Sequence, residues 1–145
     1  MQVITLEQMD ELIETKPLVF FYAHLNLAWC TPCIEMEKML LQIVEAFPEL
    51  PIYKIETAGM DFPSLIKYSL GTTPALIVFK KHKKVQHLLG LQTYRDIVAL
   101  IQDSLPKEDF GVEALNKVLA AVEAMTPEEY LRWYNNHKFN SPQVW

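Results

Sequence analysis

The two cysteines of the chain, Cys30 and Cys33, lie three residues apart in the run Trp29, Cys30, Thr31, Pro32, Cys33. Cysteine chemistry runs through the thiolate, which serves as nucleophile and as metal ligand. Two thiols at this spacing can work in turn, one capturing a disulfide and the other displacing what was captured. At a helix N-terminus, unpaired backbone N–H groups and the positive end of the dipole favour the thiolate and lower the thiol's pKa toward neutrality. A position there would make Cys30 the nucleophile and would put Cys33, one turn later on the same face, in reach as the resolving thiol. Pro32 suits such a first turn, because its missing N–H leaves no intrahelical bond unmade and its φ is already helical. Trp29, directly before the nucleophile, is placed to shield the thiolate and touch a partner. The scheme requires the Cys30 sulfur to be exposed and its neighbour to stand close.

Other readings of the same residues are weaker. Half a zinc site would need two more ligands, and the candidates His24, His82, His87 and His137 have no paired spacing, so no metal set is assigned. Two inert buried thiols would not need Trp29, Pro32 and a helix start around them. His24 reads as a surface loop residue, although it could exchange protons with Cys30. Met36 and Met39 fall on the apolar stripe of a helix and read as core.

The elements that must position the pair are legible on either side. Thr5 with Gln8 caps a helix to Thr15, whose Leu6, Met9, Leu12 and Ile13 share a face, and Pro17 ends it. Leu18 to Tyr22 is a continuous apolar run without alternation, as expected of a strand covered on both faces. From the cysteines onward Met36, Met39, Leu40, Ile43, Val44 and Phe47 recur at helical spacing, with Glu35, Lys38, Gln42 and Glu45 on the other side. Ile52 to Glu56 reads as a second strand, about Asp61 to Tyr68 as a short helix, and Ala75 to Phe79 as a third strand. Lys80 to Lys84 is its turn, Val85 to Leu89 the returning antiparallel strand, and Thr93 with Asp96 opens a further helix. These elements predict an α/β fold, a mixed sheet with helices on both faces. Beyond Pro106, Val112, Leu115, Val118, Leu119 and Val122 form one more helical stripe. Thr126 to Glu129 is a capping box, followed by Tyr130, Trp133, Tyr134, Phe139 and Trp145. The expected organisation is one domain over residues 1–105 with a helical extension, 106–145, packed on it.

Composition narrows the function classes. Of 145 residues, 13 are Lys or Arg and 18 Asp or Glu, a formal charge of −5, with half the residues hydrophobic and 21% charged. That is a globular balance, and its acidic sign argues against nucleic acid as a partner. The basic cluster Lys80, Lys81, His82, Lys83 and Lys84 reads as a solvated turn. The N-terminus lacks a secretory pattern and no apolar run is long enough to cross a bilayer, so the expected location is cytoplasmic, without membrane attachment. A reducing compartment makes a permanent structural disulfide improbable and favours redox use of the pair.

Together these residues resemble the thioredoxin family over roughly residues 1 to 105. Beyond the cysteine motif, the segment Tyr68, Ser69, Leu70, Gly71, Thr72, Thr73, Pro74 looks like the one leading to the family's cis-proline. The resemblance implies a thioredoxin-like fold, with Pro74 beside the cysteines and the Thr73 backbone pairing with an extended substrate peptide. Gly90 and Lys54 also stand where the family commonly has Gly and Lys. What is implied is a thiol–disulfide oxidoreductase without cofactor, reducing disulfide-containing proteins and recycled by an external reductase or small thiol. Its site would comprise catalytic Cys30 and Cys33, supporting Trp29, Thr31 and Pro32, and substrate-binding Thr73, Pro74 and Gly90. Several departures stand out. The family's buried Asp aligns with Phe20, which would leave Lys54 without its carboxylate and proton transfer at Cys33 dependent on water or Glu56. Ile34 and Thr31 replace the common cation and Gly, and the approach from His24 to Ala28 is longer than usual. The alternative is a binding module with slow or regulatory cysteines, holding a partner through its aromatic tail. A peroxide or glutathione-type activity has no residue support.

Overall fold

The structure is a computed structural model, and it describes residues 1–26 and 29–105. Its elements run β1 (Gln2–Val3), α1 (Leu6–Thr15), β2 (Leu18–His24), α2 (Thr31–Ala46), β3 (Ile52–Glu56), α3 (Phe62–Lys67), β4 (Ala75–Lys80), β5 (Lys83–Leu89) and α4 (Tyr94–Ser104). The strands form one sheet in the order β1-β3-β2-β4-β5. β1, β3 and β2 are parallel, while β4 is antiparallel to both β2 and β5, so the predicted mixed sheet is observed. The 106–145 extension and its aromatic residues lie outside the described residues.

Local chemistry explains the boundaries. Thr5 caps α1 as the sequence suggests, with the Gln8 amide donating to its hydroxyl and the Gln8 side chain accepting from the Thr5 amide, a reciprocal box. Asp61 caps α3 and Thr93 caps α4, each accepting from the amide three residues on. The β4–β5 turn is tighter than predicted. Lys83 and Lys84 already belong to β5, leaving Lys81 and His82 to make the reversal with φ of 52° and 71°. Two positive φ values match the primed hairpin turn whose twist suits flanking strands. β1, not anticipated, is a two-residue exposed edge strand, too short to carry any periodicity.

Each face of the sheet buries its own core. Phe20, Tyr22, Ile52, Leu76 and Val78 face α2 and α4 through Met36, Leu40, Ile43, Ile97, Val98 and Ile101. Val19, Phe21, Ala23, Ile55 and Ile77 pack on the other side with Met9 and Ile13 of α1 and with Tyr68 and Leu70. This two-sided burial is why β2 reads as an unbroken apolar run. α2 is covered more widely than one stripe: Lys38 and Gln42, placed on the side opposite the apolar stripe, are buried, as is Glu37.

Candidate functional site

β2 ends at His24, and α2 begins at Thr31 directly after Cys30, so the cysteines follow the strand's C-terminal end at the start of the helix. Cys30 is the N-cap of α2 and Pro32 lies within its first two positions, the arrangement the motif suggests. The Cys30 sulfur accepts a hydrogen bond from the Cys33 amide at 3.2 Å, and the Cys30 carbonyl accepts from the Ile34 amide. One orphan amide of the helix start is therefore aimed at sulfur, where it and the helix dipole would stabilise a thiolate. The two sulfurs are joined in a disulfide, with Cα atoms 5.2 Å apart. The expectation of an exposed Cys30 sulfur is corrected: in this oxidised form Cys30 keeps 7% of its surface and Cys33 none. The asymmetry still leaves Cys30 the more accessible of the two. Trp29 beside it is 87% exposed, and Thr31 and Pro32 are exposed as well.

The second rim segment comes from β4. Ala75 pairs with Ala23, so Pro74 sits at the same end of the sheet as His24. The Thr73–Pro74 bond is cis, and the Pro74 carbonyl accepts from the Gly90 amide at 2.7 Å. Gly90 has φ +83°, a conformation that strains any residue with a Cβ. Thr73, Pro74 and Gly90 are thus brought together, with Thr73 half-buried.

Beneath the cysteines the sheet carries a polar cluster that sequence reasoning missed. In register, Phe20 stands opposite Ile52, and the residue opposite Lys54 is Tyr22. The expectation that Lys54 has no carboxylate is overturned: it is ion-paired and hydrogen-bonded to Glu37 of α2, and both are buried. Burial raises the Glu37 carboxyl above its ordinary range, an effect the Lys54 charge opposes. Burial likewise lowers the Lys54 ammonium, opposed by Glu37. Glu56, the acid named as a fallback, is exposed. One signal could have found Glu37: it lies four residues after Cys33 and three before Leu40, on the inward face of the helix. Tyr22 donates its hydroxyl to the Cys33 carbonyl at 2.6 Å. His24 is no surface loop residue. It ends β2, is 4% exposed, stacks on Tyr22 with centroids 5.3 Å apart, and donates from Nδ1 to the Leu25 carbonyl at 2.6 Å. Burial lowers its pKa below the usual value. Among the described residues no group of three or more His, Cys, Asp or Glu gathers that could hold a metal, and no helix is long and apolar enough to cross a membrane.

Comparison with known proteins agrees with this geometry. The thioredoxin family model matches residues 1–103. A thioredoxin of Chlamydia trachomatis is 29% identical over 101 residues, covering 69% of this chain and 94% of that protein. A thioredoxin of Alicyclobacillus acidocaldarius is 30% identical over 95 residues, 62% of this chain and 83% of that one. Human glutaredoxin-3 is 25% identical over 83 residues, covering 57% of this chain and only 24% of its own length. Among solved structures, thioredoxin f2 of Chlamydomonas reinhardtii superposes with a TM-score of 0.65 at 15% identity, covering 74% of this chain and 99% of that one. The oxidised thioredoxin of Plasmodium falciparum gives 0.60 at 18% identity, covering 70% and 95%. The fold and the cysteine pair define a thiol–disulfide oxidoreductase. The chain belongs to the thioredoxin family.

Proposed function

We propose that this protein reduces disulfides in other proteins, with Cys30 as nucleophile and Cys33 as resolving thiol. The observation that carries the reading is Cys30 at the N-cap of α2, with the Cys33 amide directed at its sulfur and the two sulfurs bonded. Starting from the dithiol, the Cys30 thiolate attacks a substrate disulfide and one substrate sulfur leaves with the bonding electron pair. Cys33, deprotonated, then attacks the Cys30 sulfur of the mixed disulfide. The Cys30–Cys33 bond forms, the second substrate sulfur leaves, and an external reductase or small thiol restores the dithiol. Glu37, one turn beyond Cys33 and buried against Lys54, takes the Cys33 proton in place of Glu56. Trp29, Thr31 and Pro32 form the rim around the nucleophile, and an extended substrate segment lies along Thr73, Pro74 and Gly90. The reducing direction follows the Pro32 of the motif and goes with a reducing, cytoplasmic setting. Residues 1–105 carry the activity. No observation favours the binding-module alternative.

Insulin reduction in the presence of a dithiol reductant tests the reading. The wild type should turn over, Cys30→Ser should not, and Cys33→Ser should accumulate a covalent mixed disulfide visible by mass spectrometry. A wild type no faster than reductant alone would end it.

A further inference from the structure

Tyr22 has no role in the scheme above, yet it touches the resolving cysteine's own backbone. Its side chain is fully buried, and its hydroxyl donates to the Cys33 carbonyl at 2.6 Å. The ring is held from several sides: it stacks on His24, faces α2 within that core, and stands opposite Lys54 on the neighbouring strand. Burial and the Glu37 charge both raise the phenol's pKa, so the hydroxyl keeps its proton and stays a donor through any physiological pH change. Cys33 lies in the first turn of α2, where a helix has fewest restraints of its own. A hydrogen bond in such a dry setting is stronger than one in water, and this one runs from a central strand.

We propose that Tyr22 is a positioning residue for the resolving step, its hydroxyl holding the first turn of α2 so that the Cys33 sulfur is aimed at the mixed disulfide on Cys30. The proposal rests on the oxidoreductase reading of the cysteine pair. It assigns Tyr22 no direct part in the first attack, because the phenol grips the Cys33 carbonyl and makes no hydrogen bond to Cys30. In the resolving step the Cys33 thiolate bonds to the Cys30 sulfur, the bond from Cys30 to the captured group breaks, and that group departs with the electron pair.

Reduced protein mixed with Ellman's reagent in a stopped-flow instrument separates the two events. The first thionitrobenzoate is released as Cys30 attacks, the second as Cys33 displaces the group left on Cys30. Tyr22→Phe keeps the ring and its stacking and removes only the hydroxyl. The first phase should stay within twofold of wild type, and the second should slow about fivefold, the size expected for one lost hydrogen bond. The equilibrium of the cysteine pair with a dithiothreitol redox buffer should also shift. Phe20→Leu, on the same strand and face but opposite Ile52, is the packing control; it should lower the melting temperature without separating the phases. Both phases at wild-type rates in Tyr22→Phe, or both slowed equally, would overturn the proposal. Since the reagent assay needs no protein substrate, a failure to reduce insulin would count against the proposed function alone.

Discussion

At the residue scale, chemistry turns on how the fold charges and screens a few buried groups. Glu37 and Lys54 are each other's counter-charge in the interior, and a buried charge stripped of its partner is costly. Glu37→Gln should therefore destabilise the fold by about 3–5 kcal/mol. Replacing both, as Glu37→Leu with Lys54→Met, should recover most of that loss in urea unfolding. If Glu37 takes the Cys33 proton, the folded double variant should reduce insulin at least about tenfold more slowly. Equal turnover would assign that proton to solvent. His24 gives a pH signature of a different kind. Burial and Lys54 hold it neutral, against the Leu25 carbonyl and Glu56, so its folded pKa lies below the ordinary 6.5. Between those two values the unfolded chain binds a proton that the native state does not, so stability falls as pH drops through that window and is whole above it. Urea titrations at about pH 7.5 and about pH 5 should show a larger acid loss for wild type than for His24→Gln. Matching losses would show that the ring titrates freely in the fold.

At the element scale, the site depends on α2 being held at the right height over the sheet. That helix has Cys30 as its cap and carries Met36, Leu40 and Ile43 into the core. Leu40 is fully buried, so Leu40→Ala should cost about 2–5 kcal/mol through lost burial and a cavity. Removing the α1 cap with Thr5→Ala, on an exposed helix end, should cost only about 1 kcal/mol. Chemical denaturation of the two variants checks the ranking, and a Thr5→Ala loss as large as that of Leu40→Ala would contradict it. The capping pairs Thr5–Gln8 and Thr93–Asp96 were legible because they act within four residues of chain. The two-residue β1 and the tight Lys81–His82 turn were not, since neither has enough length to show a period.

At the scale of the whole molecule, the described sheet closes two cores, one per face, with α1 and α3 on one side and α2 and α4 on the other. The chain shortened to end at Leu105 contains every strand and helix of that arrangement. It should unfold cooperatively and keep insulin reduction within about twofold of the full chain. Loss of cooperative unfolding would show that 106–145 belongs to the fold itself. The thioredoxin family model matches residues 1–103, which lie within that shortened chain.

What could be read from the chain alone was whatever short-range physics dictates: the caps, the apolar periods, the order of elements, and a dithiol at a helix start. Pairings between distant segments were out of reach. Phe20 and Tyr22 are both apolar-looking members of one strand, and only the register with β3 shows that Tyr22 is the one beside Lys54. Glu37 looks like an ordinary helix acid until α2 is laid over that register, where it becomes the buried partner of a lysine 17 residues away. His24 likewise changes from loop to core because β2 runs two residues further and its ring finds Tyr22 to stack on. Periodicity says which side of an element is buried. Which polar group meets which inside is a matter of register and packing, and those exist only once the chain has closed on itself.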